Sequence, residues 1–217
     1  MCGRFSLTVR LEVLERIFKA KARASTPLPR YNVAPTQPVL AIAGDDPHTI
    51  AEMEWGMTVF PNNGAPRMLV NAKAETLTQR PLYAQAFKER RCLILADGFF
   101  EWRGHGGKRI PQYYRLHSHE PFAFAGIYDE ENATRHAVII TTVPNALVEP
   151  VHNRMPVILH DPDAWLSEDD PQKLAAMLQP YDASAMESFT VDPIVNSPEN
   201  DSAQCIAPYE PPQLDLF

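Results

Sequence analysis

A chain of 217 residues with 27 acidic and 20 basic side chains has a formal charge of −7. It is long enough to fill one real core and too acidic to coat nucleic acid indiscriminately. No apolar run approaches a membrane span or a signal core, and 21 prolines, about twice the usual frequency, rule out long unbroken helices in favour of short strands and tight loops.

Thr8 offers a helix cap, and Val9, Val13, Leu14, Ile17 and Phe18 recur at helical spacing to about Ala20. Lys19, Lys21 and Arg23 lie at the end where the helix dipole favours cations. A proline-bearing loop, Pro27 to Pro38, leads to a predicted strand at Val39–Ala43. A turn at Asp45-Asp46-Pro47 and a strand at Thr49–Trp55 follow. Asn62-Asn63-Gly64 reads as a turn, Met68–Asn71 as a short buried strand, and Ala74–Phe87 as a helix disturbed by Pro81. Arg91–Ala96 reads as a core strand, turning at Asp97-Gly98 into a second strand, Phe99–Arg103. Further strands are predicted at Gln112–His117, Phe122–Tyr128, His136–Thr142, Met155–His160 and Ser188–Val195, with short helices at Asp163–Ser167 and Pro171–Leu178.

The sum is an α+β domain over residues 1–195, a curved, mainly antiparallel, barrel-like sheet with a few flanking helices. Residues 196–217 read as a proline-studded acidic tail. That tail contains Glu199, Asp201, Glu210 and Asp215 and no Lys or Arg, which leaves a mild −3 on the rest. Cys2, Cys92 and Cys205 make an odd count without CxxC spacing, so neither a disulfide framework nor a zinc site is indicated. The expectation is a soluble, cytoplasmic protein.

Several short stretches could carry chemistry. Removal of Met1 would leave Cys2 with a thiol and a free amine on adjacent carbons, a 1,2-aminothiol able to close a thiazolidine ring on an aldehyde carbon; the plain alternative is a small apolar residue at a buried chain start. Glu101, flanked by Phe100 and Trp102, is either a solvated glutamate on the outer face of a strand or a carboxyl whose pocket raises its pKa. His152 and Arg154 precede an apolar strand and could move a proton and hold a phosphate, or be a loop histidine and a surface arginine. Asn71 and Lys73 end a strand; Asn71 could meet a sugar or cap a helix, and Lys73 could meet a phosphate. His117 and His119 form an HxH pair that no nearby cluster completes as a metal site.

Taken in order, Met1-Cys2-Gly3-Arg4-Phe5, Arg30-Tyr31-Asn32-Val33-Ala34-Pro35, Trp55-Gly56, Asn71-Ala72-Lys73-Ala74-Glu75-Thr76, Ala96-Asp97-Gly98-Phe99-Phe100-Glu101-Trp102 and His152-Asn153-Arg154-Met155-Pro156 resemble the SOS-response-associated peptidase (SRAP) family of abasic-site processing proteins. The resemblance implies binding of single-stranded DNA and cross-linking to abasic sites through Cys2, with secondary lyase and self-processing peptidase activity. It assigns Glu101 to sugar ring opening and proton transfer, His152 to the ring-opened sugar and reversal of the link, and Asn71 to a place beside the cysteine. It places Arg4 and Arg154 on phosphates, and Asn32, Pro35, Trp55 and Lys73 along the DNA. Lys73 stands where many relatives have arginine, and the second tryptophan that often follows Trp55-Gly56 is missing, which leaves open whether Phe60 takes its place. No metal or nucleotide cofactor is required, and a monomer is expected.

The end of the chain, Gln213-Leu214-Asp215-Leu216-Phe217, resembles the pentapeptide that binds the bacterial sliding clamp. Prolines pre-extend it and Leu214, Leu216 and Phe217 supply apolar anchors. Two rival readings are an N-terminal-nucleophile amidohydrolase using the Cys2 thiol and a non-enzymatic, clamp-associated adaptor for single-stranded DNA. The first predicts glutamine hydrolysis and the second reversible binding indifferent to Cys2→Ala.

Overall fold

The computed structural model describes residues 2–60, 64–105 and 108–209. In chain order the first strands are β1 (Phe5–Leu7), β2 (Lys21–Ala22), β3 (Arg30–Val33), β4 (Pro38–Ala43), β5 (Asp46–Trp55), β6 (Met57–Val59), β7 (Arg67–Leu69) and β8 (Asn71–Lys73). They are followed by β9 (Arg91–Ala96), β10 (Gly98–His105), β11 (Lys108–Leu116), β12 (Phe122–Glu131), β13 (Thr134–Thr142), β14 (Met155–Pro156) and β15 (Met186–Thr190). The α-helices are α1 (Leu11–Ile17), α2 (Pro81–Glu89), α3 (Pro162–Ser167) and α4 (Pro171–Ala176). None is long and apolar enough to cross a membrane.

Strands β5, β4, β9, β12 and β13 pair antiparallel in sequence, and a parallel pairing of His136 with Glu54 and Ala137 with Trp55 joins β13 back to β5. The ring is closed, so the barrel-like expectation holds. Alternation along the strands divides their side chains into two cores. Leu40, Ile42, Leu93, Leu95, Val138 and Ile140 pack outward with Leu14, Phe87 and Trp165 of the helices. Val39, Ala41, Ile94, Phe124 and Ile139 pack with Phe5, Phe99 and Tyr114 of the second sheet. That sheet runs β15-β11-β10-β1-β3. Its far face is covered by a third core of Phe100, Tyr113, Val191, Val195 and Cys205.

Several boundaries differ from expectation, each for a local reason. Thr8 caps no helix, because its amide and hydroxyl both donate to the Asp97 carboxylate, and α1 starts after Arg10. The turn before β5 is Gly44-Asp45, with Asp46 already paired to Ala43. Met68 lies on an exposed hairpin strand at 46% exposure, and the buried strand predicted there is split into β7 and β8. The long helix over Ala74–Phe87 separates into a 3-10 turn, Ala74–Thr76, and α2, which Pro81 starts rather than disturbs. The strand expected at Met155–His160 is reduced to β14 and a single bridge from Ile158 to Phe124. The last strand begins and ends early, since Asp192 caps a 3-10 turn over Pro193–Asn196.

The chain beyond Asn196 is also packed, contrary to the loose tail expected from that point. Asp201 accepts from the amides of Tyr31 (2.5 Å) and Asn32 (3.0 Å) on the edge strand β3 and pairs with Arg30 at 2.6 Å. Cys205 is buried, and the amide of Tyr209 donates to Thr190 O at 2.9 Å. This segment satisfies a sheet edge that would otherwise face water or another strand.

Candidate active site

The site forms where β1, β10 and β8 converge. Cys2 precedes β1 and is fully buried; its Sγ contacts Arg4 O at 3.7 Å, and its own carbonyl accepts from Asn71 Nδ2 at 2.7 Å. Asn71 opens β8, which runs parallel to β13, so the barrel wall places this amide against the chain start. Asn71 therefore caps no helix; its Oδ1 is buried with no hydrogen-bond partner among the described residues.

Glu101 lies in the middle of β10 and is only 2% exposed. A strand with cores on both faces has no outer face, so Glu101 shares the Phe99 and Tyr114 side while Phe100 and Trp102 fill the other. Burial pushes its carboxyl up to about 7, and the amine at the chain start and then Arg109 pull the other way. The same burial, reinforced by the nearby Glu101 charge, holds the Cys2 thiol well above its ordinary range. At neutral pH the sulfur is protonated beside a carboxyl near half-ionisation.

His152 Nδ1 is 4.0 Å from Glu101 Oε1. It also faces the amide and carbonyl of Arg154 at 3.1 and 3.2 Å. Nδ1 accepts from the amide in one tautomer and donates to the carbonyl in the other. Burial lowers the imidazole pKa, against the hydrogen bond with the Arg154 backbone that raises it, and this favours the neutral ring.

A cavity of about 330 Å³ opens over these groups, lined by Gly3, Arg4, Glu101, Trp102, Arg109, His152 and Asn196. Two guanidinium groups lie over the Trp102 ring, Arg4 at 5.7 Å and Arg109 at 5.4 Å from its centroid. Trp102 Nε1 donates to Asn196 Oδ1 at 2.6 Å. Arg109 and Asn196 escaped the sequence reading because only the β10–β11 register, which sets Gly104 opposite Arg109, and the packing of the 3-10 turn bring them here.

The residues expected along DNA separate into groups. Arg4 reaches the cavity, but its guanidinium also donates to Asn32 Oδ1 (2.7 Å), Val195 O (2.8 Å) and Asn196 O (3.3 Å). Arg154 makes a two-pronged pair with Glu75 at 2.6 and 2.9 Å and donates to Thr141 O. Lys73 is exposed and Pro35 half-buried. Two assignments are corrected. Asn32 is wholly buried, with its amide donating to Val195 O, Ser197 O and Asn200 O, so it ties the C-terminal segment to β3. Trp55 is also wholly buried, tilted against Phe5 at 5.1 Å, with Nε1 donating to Val70 O; it is a core residue. Phe60, by contrast, is 73% exposed. Gln213, Leu214, Asp215, Leu216 and Phe217 lie outside the described residues.

A carboxyl near neutrality, a neutral histidine and a buried cysteine thus lie together beside a cation-rimmed cavity. The family model for SOS response associated peptidase (SRAP) matches residues 1–198, and the chain belongs to that family. It is 38% identical to the abasic site processing protein YoqW of Bacillus subtilis, over 95% of this chain and 99% of that protein. It is 26% identical to the abasic site processing protein YedK of Escherichia coli, over 96% and 100%. The fold matches a crystal structure of a Bacteroides thetaiotaomicron protein with a TM-score of 0.83, at 21% identity, covering 96% of this chain and all of the other.

Proposed function

We propose that this chain binds single-stranded DNA and, once Met1 is removed, traps an abasic site as a thiazolidine on Cys2. The observation that carries this reading is the buried Cys2, held through its carbonyl by Asn71 and lying within the field of a carboxyl poised near pH 7. An abasic deoxyribose is mostly a closed hemiacetal. Glu101 gives a proton to the ring oxygen as the C1′–O4′ bond breaks and the 1′-hydroxyl gives its proton to water, leaving an aldehyde. The Cys2 amine adds to that carbon and water leaves, forming an imine. The S–H then adds across the C=N bond: sulfur joins carbon, its proton passes through Glu101, and nitrogen ends as a secondary amine. Ring closure consumes the imine that would otherwise drive β-elimination, so lyase activity is a leak from the same intermediate.

His152 serves the hydroxyl released at ring opening. Arg4 and Arg109 around Trp102 suit a backbone phosphate beside a stacked base. Names of relatives as abasic site processing proteins support the substrate class. The C-terminal pentapeptide, by its sequence, is proposed to dock on the sliding clamp. Incubation of Met-processed protein with an abasic oligonucleotide, followed by a denaturing gel, tests the central reading. A detergent-resistant adduct that disappears in Cys2→Ala is expected; no adduct from wild type overturns it.

A further inference from the structure

Tyr114 on β11 is wholly buried, with its ring stacked on Phe99 at 4.9 Å and 12° from parallel. Its hydroxyl has no hydrogen-bond partner among the described residues. Such a group costs about 1–3 kcal/mol to bury, and phenylalanine would fill the same space without that cost. Its neighbour Tyr113, on the opposite face, shows the ordinary solution: its hydroxyl lies 2.8 Å from Ser6 Oγ. The hairpin register pairs Phe99 with Tyr114 and Glu101 with Gln112, so Tyr114 lies diagonally across the ladder from Glu101 on the same face. The Glu101 charge is also felt at the phenol, which burial first and that charge second push up in pKa, so the hydroxyl stays a donor across the working range.

We infer that Tyr114 is a positioning residue acting through Glu101, its hydroxyl donating a hydrogen bond to the Glu101 carboxylate after that group has released its proton. The inference rests on the reading of Glu101 as the acid and base of the site. When the proton moves to the sugar ring oxygen, a charge is left on a side chain only 2% exposed. Charged and titratable groups surround it: the amine at the chain start, which donates to it, Arg103 on its own strand, Arg109 across the hairpin, Cys2 and Arg4 ahead of β1, and His152 on its loop. Arg103 and Arg109 are solvent-exposed, and Gln112 Nε2 already donates to Thr190 Oγ1 at 2.7 Å. A neutral phenol supplies a donor without fixing the carboxyl permanently in its charged state, as an arginine in contact would. The carboxylate thus persists long enough to take the Cys2 thiol proton when the S–C bond forms.

The test is Tyr114→Phe in the full chain, with the Glu101 side-chain carboxyl followed by carbon-13 NMR across pH in the absence of DNA. Loss of a hydrogen bond to the charged form should raise the Glu101 midpoint by about one pH unit. The melting temperature should stay level or rise, because an unpartnered hydroxyl has been removed. The pH profile of adduct formation should move upward by the same amount. An unchanged Glu101 midpoint overturns the inference, and a lowered melting temperature alongside it marks the hydroxyl as structural. Should wild type make no adduct at all, the proposed function fails, and the NMR midpoint still decides the role of Tyr114.

Discussion

Asp97 and Glu101 flank the same short aromatic run, and both are almost wholly buried, at 7% and 2% exposure. Their surroundings differ in kind. Asp97 sits at the crossing from the barrel to the second sheet, where its carboxylate accepts from Ser6 Oγ (2.6 Å), Thr8 N (2.5 Å), Thr8 Oγ1 (2.6 Å) and Val9 N (3.2 Å). These donors convert a buried charge into a clasp that fixes the start of the chain. The crossing also needs Gly98, since a Cβ there would lie 2.1 Å from the Tyr113 hydroxyl. Glu101 occupies a strand between two cores, and burial dominates its electrostatics, leaving it near pH 7. Burial alone does not make a proton-transfer group: the donors supplied by neighbouring backbone and hydroxyls decide whether a carboxylate becomes structure or chemistry.

The largest effect expected from breaking this contrast is on reaction rate. Glu101→Gln keeps the shape and removes the exchangeable proton, so the adduct-forming rate should fall by about 100-fold or more, read as gel band intensity against time, with no loss of thermal stability. Asp97→Ala should do the reverse. It strands buried donors and releases the segment before α1, at a cost of about 4 kcal/mol in unfolding free energy, measured by urea titration. A protein in which Asp97→Ala instead loses adduct formation with stability intact would erase the distinction.

The third prediction concerns pH. The Glu101 carboxyl titrates near 7 in the folded protein against an ordinary 4.5. Between those values the folded chain holds a proton that the unfolded chain has released, so wild-type stability falls as pH rises through the window and the loss is complete above it. Glu101→Gln cannot titrate. It should therefore match wild type near about pH 4 and exceed it by about 3 kcal/mol near about pH 8. Equal stabilities across the range would mean that the carboxyl is not held protonated by the fold.

How far these sites could be read from sequence follows from what local pattern encodes. The strand Arg91–Ala96 was legible to the residue because it is a continuous apolar run with turn signals at its end. Cys2, Asn71, Glu101 and His152 were legible as candidates because each lies in a short ordered motif, and the fold brings them together. Trp55 was misplaced because an aromatic residue in a motif looks the same whether it fills a barrel or meets a ligand. Glu101's burial was undecidable locally, since alternation names a face but not what covers it, and that cover comes from β1 and the barrel. Arg109 and Tyr114 depend on hairpin register, which a bulge or a changed turn would shift by a whole side chain. The packed segment after Asn196 was hidden because its hold is polar, an aspartate and a set of carbonyls rather than an apolar stripe.

The smallest expected effect comes from Glu75, the surface counterpart of these buried carboxylates. It is half exposed, whereas Arg154, its partner at 2.6 Å, is only 11% exposed. The arginine holds the Glu75 carboxyl below its ordinary range by direct hydrogen bonding. Solvent screening keeps the pair's worth to stability below about 1 kcal/mol. Its effect on binding has the opposite sign. A carboxylate on the guanidinium fork occupies the donors that a phosphate would use, so DNA must displace it. Glu75→Gln should therefore tighten binding of undamaged single-stranded DNA by about threefold, a change of under about 1 kcal/mol, and steepen its dependence on salt. Fluorescence anisotropy at two salt concentrations measures both quantities. Weaker binding by Glu75→Gln would assign Arg154 to holding the loop of His152 in place rather than to the phosphate.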